Sequence, residues 1–328
     1  MDRKRRVLIS GATLAIAALV TLGLGNPPVA HATPTTVGAC MTIGSAGSYV
    51  VDKNLNASGD HCLVIEADDV TIDLAGFRLM GDGTGGKSGI TDNGILRRNI
   101  AIRNGTIQGF AHRGIDLASS DQIKVEEVRV HTNGGGGIFG RTLGIVKDCV
   151  VTANGSDGIV MGEAVLTGNT VTHNAGSGIG GGTESTLTNN TASFNGGDGI
   201  VVGGHSTLTN NTASFNTGRG IRLFIAPLDK CCNTLTSNTA SHNGGHGIFD
   251  SSNGNTFTGN TAGRNGGDGM VIGAFSALTS NTASGNTGTG IAVTCPGNLN
   301  GNTASNNIVA NISTAGPGCK RANNLPVP

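Results

Sequence analysis

The amino-acid sequence predicts an all-β solenoid, a three-faced parallel β-helix with about 21 residues per coil. Three observations carry that expectation. Residues 185–195 and 206–216 both read STLTNNTASFN, identical at an interval of 21. An Asn column (Asn133, Asn154, Asn174, Asn195, Asn216, Asn243, Asn265, Asn286, Asn307) recurs at spacings of 21, 20, 21, 21, 27, 22, 21 and 21. Five residues earlier runs a second column, Val128 and Cys149 followed by Asn169, Asn190, Asn211, Asn238, Asn260, Asn281 and Asn302.

Three apolar columns share this register. The first is Ile115, Ile138, Ile159, Ile179, Ile200, Ile221, Ile248, Met270, Ile291 and Ile312, almost always after Gly. The second is Val125, Val146, Leu166, Leu187, Leu208, Leu235, Phe257, Leu278 and Leu299. The third is smaller: Val130, Val151, Val171, Ala192, Ala213, Ala240, Ala262, Ala283 and Ala304. A repeat this short excludes helical hairpins, which need about 33 residues or more. Gly-Ile-Val-Val, Thr-Leu-Thr and Asn-Thr-Ala-Ser alternate with period 2 and are punctuated by Gly and Asn, so each coil reads as three short strands joined by turns. Successive coils then rise by about 4.8 Å, and roughly twelve of them make a rod of about 55 to 60 Å.

Stacking explains the repetition. An amide of Asn190 placed over Asn211 donates to one neighbour and accepts from the other, so a ladder from Asn169 to Asn302 satisfies its own buried polar groups. Each stacked Ile adds about 1.5 to 3 kcal/mol of apolar burial. The chain has no Trp, one Tyr and 56 Gly, a composition that without this periodicity describes a disordered polymer.

Residues 1–32 carry the marks of an export signal: a basic start (Arg3, Lys4, Arg5, Arg6), an apolar stretch from Val7 to about Gly25, and Ala30-His31-Ala32 as a cleavage pattern. Arg5-Arg6 leaves the twin-arginine route open beside the general secretory one, and a retained membrane helix is the competing reading of the same stretch. Residues 33–328 are expected to form one domain. With the signal set aside, 17 basic and 20 acidic residues remain and no basic run survives, which gives no support for a nucleic-acid partner.

From GSYVVDKNLN through HCLVIEADDVTIDLAGFRLMG to NIAIRNGTIQGF, the amino-terminal part resembles secreted bacterial right-handed parallel β-helix repeat proteins of the pectate-lyase-like superfamily. The resemblance implies the right-handed fold shared with pectate lyases, polygalacturonases, alginate epimerases and phage tailspikes, and no single activity. Polygalacturonase signatures are absent apart from a His246-Gly247 dipeptide, and so is the Tyr-Gly-x-Asp-Pro-His-Asp pattern of alginate epimerases.

All seven cysteines follow residue 32. Cys40 and Cys62, and Cys295 and Cys319, are each about one coil apart, so two disulfides are expected, one near each end. Cys149, in the Asn column, is expected to be buried and free. Cys231-Cys232 falls in the 27-residue coil, whose extra length is expected to bulge around FIAPLDK; with no His beside the pair, no metal is expected, and no cofactor is implied.

Chemistry must come from outward columns. Asp198, Arg219, His246 and Asp268 precede Gly-Ile on four consecutive coils, where an Arg would neutralise a uronic-acid carboxylate and His or Asp would remove its C5 proton. A turn column of small polar residues is the plainer reading. His173, Phe194, Phe215, His242 and Arg264 form a second column, either a sugar-stacking platform or inward packing of the two Phe rings. Glu163, Glu184 and His205 form a third, with paired carboxylates at a separation suited to glycoside cleavage or simply facing water. Two functions follow as alternatives: binding and processing of an acidic polysaccharide or cell-envelope glycan, or a non-catalytic rod at the cell surface.

Overall fold

A computed structural model describes residues 33–224 and 232–327. The expected export segment, most of the FIAPLDK bulge and Cys231 lie outside the described residues. Residues 33–328 cluster as one compact unit. Every described strand pairing is parallel, and the chain winds through about 13 turns of a right-handed β-helix. That is one turn more than the repeat spacing suggests, because the irregular amino-terminal part stacks as fully as the rest: Met41, Leu63 and Ile90 continue the Ile115 column.

Each coil contributes one strand to each of three sheets. In a typical coil these are Ile179–Gly181 in the first sheet, Thr186–Thr188 in the second and Thr191–Ser193 in the third. Near the amino end the bends soften, and Ile115–His131 runs as one strand across all three. The predicted apolar columns are in register, with Ile200 paired to Ile221, Leu208 to Leu235 and Ala262 to Ala283. Ile200, Ile221, Leu187, Leu208, Ala192 and Ala213 are fully buried.

Three bends close a typical coil, and all use one device. A residue in the left-handed region turns the chain, and the next residue points inward and bonds to its counterpart in the adjacent coil. Asn189 (φ 57°) precedes Asn190, Phe194 (φ 59°) precedes Asn195, and Glu184 (φ 57°) precedes Ser185. In the predicted ladder, Asn190 Nδ2 donates to Asn211 Oδ1 at 2.9 Å and to the Leu166 carbonyl at 2.8 Å. Asn211 Oδ1 also accepts the Asn190 backbone N–H at 3.0 Å. Both amide hydrogens and both oxygen lone pairs are therefore occupied. This ladder runs from Asn169 through Asn190, Asn211, Asn238, Asn260 and Asn281 to Asn302, and ends on Asn324.

The Asn133 to Asn307 column is a second complete ladder. A third mixes residue types: backbone N–H groups from Ala164 onward donate in turn to Ser185, Ser206, Asn233, Asn255 and Ser276. The Gly before each core Ile follows from the second ladder. A Cβ on Gly199 would lie 2.5 Å from Asn216 Nδ2 and 2.9 Å from the Ala213 methyl, so both the Gly and the small third column make room for the amide.

Both expected disulfides are formed, with Cα separations of 4.3 Å for Cys40–Cys62 and 5.0 Å for Cys295–Cys319. Such bonds persist in oxidising compartments, in keeping with an extracytoplasmic protein. Cys149 is free and buried, its thiol pushed up to about 12 by burial, so it is an inert packing residue. Cys232 is disulfide-bonded.

Removing one rung tests the ladder. Asn211→Ala strands donors and acceptors on Asn190, Asn238 and Leu187 and should cost more than about 3 kcal/mol, at about 1 to 3 per stranded group. Asn189→Ala, at the exposed bend beside it, should cost only about 1 kcal/mol for the left-handed conformation, and Asn189→Gly nothing measurable. Urea unfolding of the three variants checks the order.

Candidate functional site

The outward face of the first sheet carries two parallel columns. One, at the bend before each strand, holds Asp157, Ser177, Asp198, Arg219, His246, Asp268 and Thr289. The other, one residue into the strand, holds Phe139, Val160, Gly180, Val201, Arg222, Phe249 and Val271. The structure thus brings Asp198, Arg219, His246 and Asp268 side by side on successive coils.

It also gives three of them a backbone partner. The Asp198 carboxylate accepts the Arg219 N–H at 2.7 Å, His246 Nδ1 accepts the Asp268 N–H at 3.0 Å, and the Asp268 carboxylate accepts the Thr289 N–H. Ser177 and Asp157 do the same one and two coils earlier. The bend column is therefore an outer hydrogen-bonded ladder.

Its side chains meet the strand column. Arg222 Nε lies 2.8 Å from Asp198 Oδ2 as an ion pair. Arg219 lays its guanidinium over the Phe249 ring, 4.1 Å from the centroid, and His246 stacks on the same ring at 5.4 Å. No ion pair engages Arg219 among the described residues. The arrangement has a double at the amino-terminal end, where Arg113 lies 3.9 Å over Phe139 and pairs with Asp116 at 2.7 Å. Such cation–π contacts are worth about 0.5 to 2 kcal/mol and fix the guanidinium plane.

Partial burial holds the His246 imidazole below its ordinary pKa; the Asp268 carboxylate, 3.5 Å from Nδ1, opposes that shift and Arg219 adds to it. Because Nδ1 accepts a backbone N–H, the proton of the neutral ring sits on Nε2. His246 therefore keeps a hydrogen-bond donor at Nε2. A base at this position would first have to release the Asp268 N–H.

His173, Phe194, Phe215 and His242 point outward, and both Phe rings are about half exposed. They occupy left-handed bends, so their side chains leave the coil. The four rings stack face to face at 5.2, 4.9 and 4.6 Å with tilts of 6°, 3° and 11°. Ring faces are covered by one another, and a sugar would meet edges except at the two His ends. Each stacked pair contributes about 0.5 to 1.5 kcal/mol, which makes the column a surface brace.

Glu163 and Glu184 sit on adjacent coils and line a shallow hollow of about 340 Å³ with Leu143, Ile145 and Val165. Glu184 is exposed, and His205, one coil on, is exposed and does not line the hollow.

Sequence reasoning missed Arg222, Phe249, Arg113 and Phe139. Their signal was present: all follow or precede the Ile column at fixed offsets, and the Arg and Phe members meet only because they stand one coil apart.

The right-handed β-helix region family matches residues 46–192 and 179–325, and the chain belongs to it. Among curated proteins nothing matches. Solved structures similar to this chain include the A-module of the mannuronan C-5 epimerase AlgE6 of Azotobacter vinelandii, at TM-score 0.65 and 18% identity over 85% of this chain and 90% of that one. The periplasmic alginate epimerase AlgG follows at 0.57 and 15% over 85% and 76%, and the Dettilon tailspike protein at 0.52 and 17% over 82% and 62%. At such identities the likeness is one of fold.

The His246 geometry has a pH signature. A His whose folded pKa is lowered contributes stability that is present above the ordinary imidazole value and is lost as pH falls through the lower folded value. Stability of the wild type should therefore drop below about pH 6.5 relative to His246→Ala. Long-range nitrogen–proton NMR at pH 7 should show Nε2 protonated; a proton on Nδ1 would overturn the assignment.

Proposed function

We propose that this protein is exported by residues 1–32 and, outside the cytoplasm, binds an acidic polysaccharide across the outward face of its first sheet. Arg219 carries the reading: its guanidinium is held over the Phe249 ring with no carboxylate partner among the described residues, a cation placed before any ligand arrives. Arg222 stands beside it, and its pairing with Asp198 is open to exchange for a ligand carboxylate. His246 adds an Nε2–H donor for a sugar hydroxyl. The epimerases of like fold act on polymers, as their names state, and this supports a glycan as the ligand class.

Processing of the bound chain is the finer form of the proposal. It requires a base at the uronic-acid C5, for which Asp268 and His246 are the nearest groups, both already holding backbone N–H groups. That same observation favours the second reading, a non-catalytic envelope rod in which the outer ladder is structural.

Binding of alginate, pectate and a glycosaminoglycan by the full-length chain separates these readings, together with the near-ultraviolet absorbance of unsaturated products. Arg219→Ala should weaken binding about tenfold to a hundredfold, the value of a charged hydrogen bond of about 1.5 to 3 kcal/mol. Arg219→Lys, which cannot stack its charge on Phe249 in the same plane, should recover little of it. Unchanged binding in Arg219→Ala and Arg222→Ala would remove the site; turnover lost in His246→Ala would establish an enzyme.

A further inference from the structure

The outward face of the second sheet differs from the first in kind. Its strands present Thr-x-Thr with the middle residue buried: Thr186–Thr188, Thr207–Thr209, Thr234–Thr236 and Thr256–Thr258. In parallel register, Thr186, Thr207, Thr234 and Thr256 form one column, and Thr167, Thr188, Thr209, Thr236, Thr258 and Thr279 the other. Even the 27-residue coil leaves the array unbroken, since Thr207 pairs directly with Thr234. No charged or aromatic side chain interrupts these ten positions, and no protein hydrogen bond occupies their hydroxyls among the described residues.

We infer that this face binds ice. Threonines repeat about every 4.8 Å along the rod and about 6.7 Å across it, spacings set by backbone pairing and strand pleat. These two repeats are close to those of water oxygens on a prism face of hexagonal ice. A hydroxyl both donates and accepts, as each water of an ice lattice does, whereas a carboxylate only accepts and an ammonium only donates. The β-branched side chain is stiff at χ1, so ten hydroxyls are held in place with little entropy left to lose on adsorption.

Two free threonine columns side by side occur on this sheet and on neither of the others. The first sheet has the same backbone geometry, yet its outward column is Phe139, Val160, Gly180, Val201, Arg222 and Phe249. The third repeats one threonine column, from Thr170 through Thr191, Thr212, Thr239, Thr261 and Thr282 to Thr303, but the column beside it holds Ser193, Ser214 and Ser241, whose hydroxyls already accept backbone N–H groups. A glycan partner fits the threonine face poorly. An acidic chain would need a cation, and a crystalline neutral chain would need exposed aromatic faces, and the block has neither.

The test is the gap between melting and freezing temperatures of a single ice crystal in a solution of the full-length chain, with the crystal habit recorded. The wild type should open a gap that grows with concentration and should facet the crystal. Thr209→Tyr and Thr236→Tyr, at the centre of the array, should each lose more than half of the gap, while Val160→Tyr on the first sheet keeps it. Circular dichroism shows that each variant is folded. Round, unfaceted crystals with no gap from folded wild type would overturn the inference. Full activity in both folded Tyr variants, or adsorption to crystalline cellulose or chitin without any effect on ice, would do the same.

Discussion

The structure depends on a two-residue bend: one residue in the left-handed region, then one whose side chain bonds to its own counterpart a coil away. For a residue other than Gly the first half costs about 1 to 2 kcal/mol. The second half offsets it. An Asn amide carries the carbonyl acceptor and N–H donor of a peptide group and one further N–H, so at Asn190 it replaces the backbone pairing that the bend interrupts, and each of its four hydrogen-bonding capacities is filled. Any other residue at Asn211 would leave its neighbours unmatched, and this is why the sequence repeats in register instead of merely alternating.

That constraint partitions the chain. Inward positions are fixed by stacking and leave no freedom for chemistry, and the bend positions are fixed in conformation though not in side chain. Phe194, Glu184, His205 and Arg264 can all occupy left-handed bends because their side chains leave the coil. Variation, and with it function, is confined to bends and to outward strand positions. Within those limits the two faces have gone different ways: the first sheet gathers rings, guanidinium groups and carboxylates, the second, over its central coils, a lattice of hydroxyls. The insertion of the long coil enters after Leu223, next to Arg222, at the border between them.

Identity between copies made the fold legible. Columns of Ile, Leu and Asn declared the register, and the register placed Cys40 against Cys62 and Cys295 against Cys319. The third ladder escaped because Ser185, Ser206, Asn233 and Asn255 share a hydrogen-bonding role without sharing a name. The ring column was legible as a column, but its meaning turned on an angle: rings stacked at 3° present edges to solvent where tilted rings would present faces. Arg219 and Phe249 were both in view yet lie 30 residues apart in the chain, and only the long coil between them makes that distance a single step. The role of His246 rested on which of its nitrogens meets a backbone N–H, which no spacing encodes.

The two proposed faces lie on the same coils. Ile200–Val202 and Thr207–Thr209 are consecutive strands of one turn, as are Ile248–Asp250 and Thr256–Thr258. Between the strands of the latter turn, Asp250 is buried with Ser252 and Asn255, its carboxyl raised above the usual range by burial and held by their N–H and O–H groups. The bends that position Arg222 and Phe249 therefore also set the plane of the threonines. A rung lost from the Asn169 to Asn302 ladder would disturb both faces together, whereas Arg219, at the bend before the first sheet, and Thr209, on the second sheet, both point away from the core and act independently. Coupled loss thus marks damage to the coil and separate loss marks damage to a site, so the solenoid carries its own control for deciding which kind of residue has been changed.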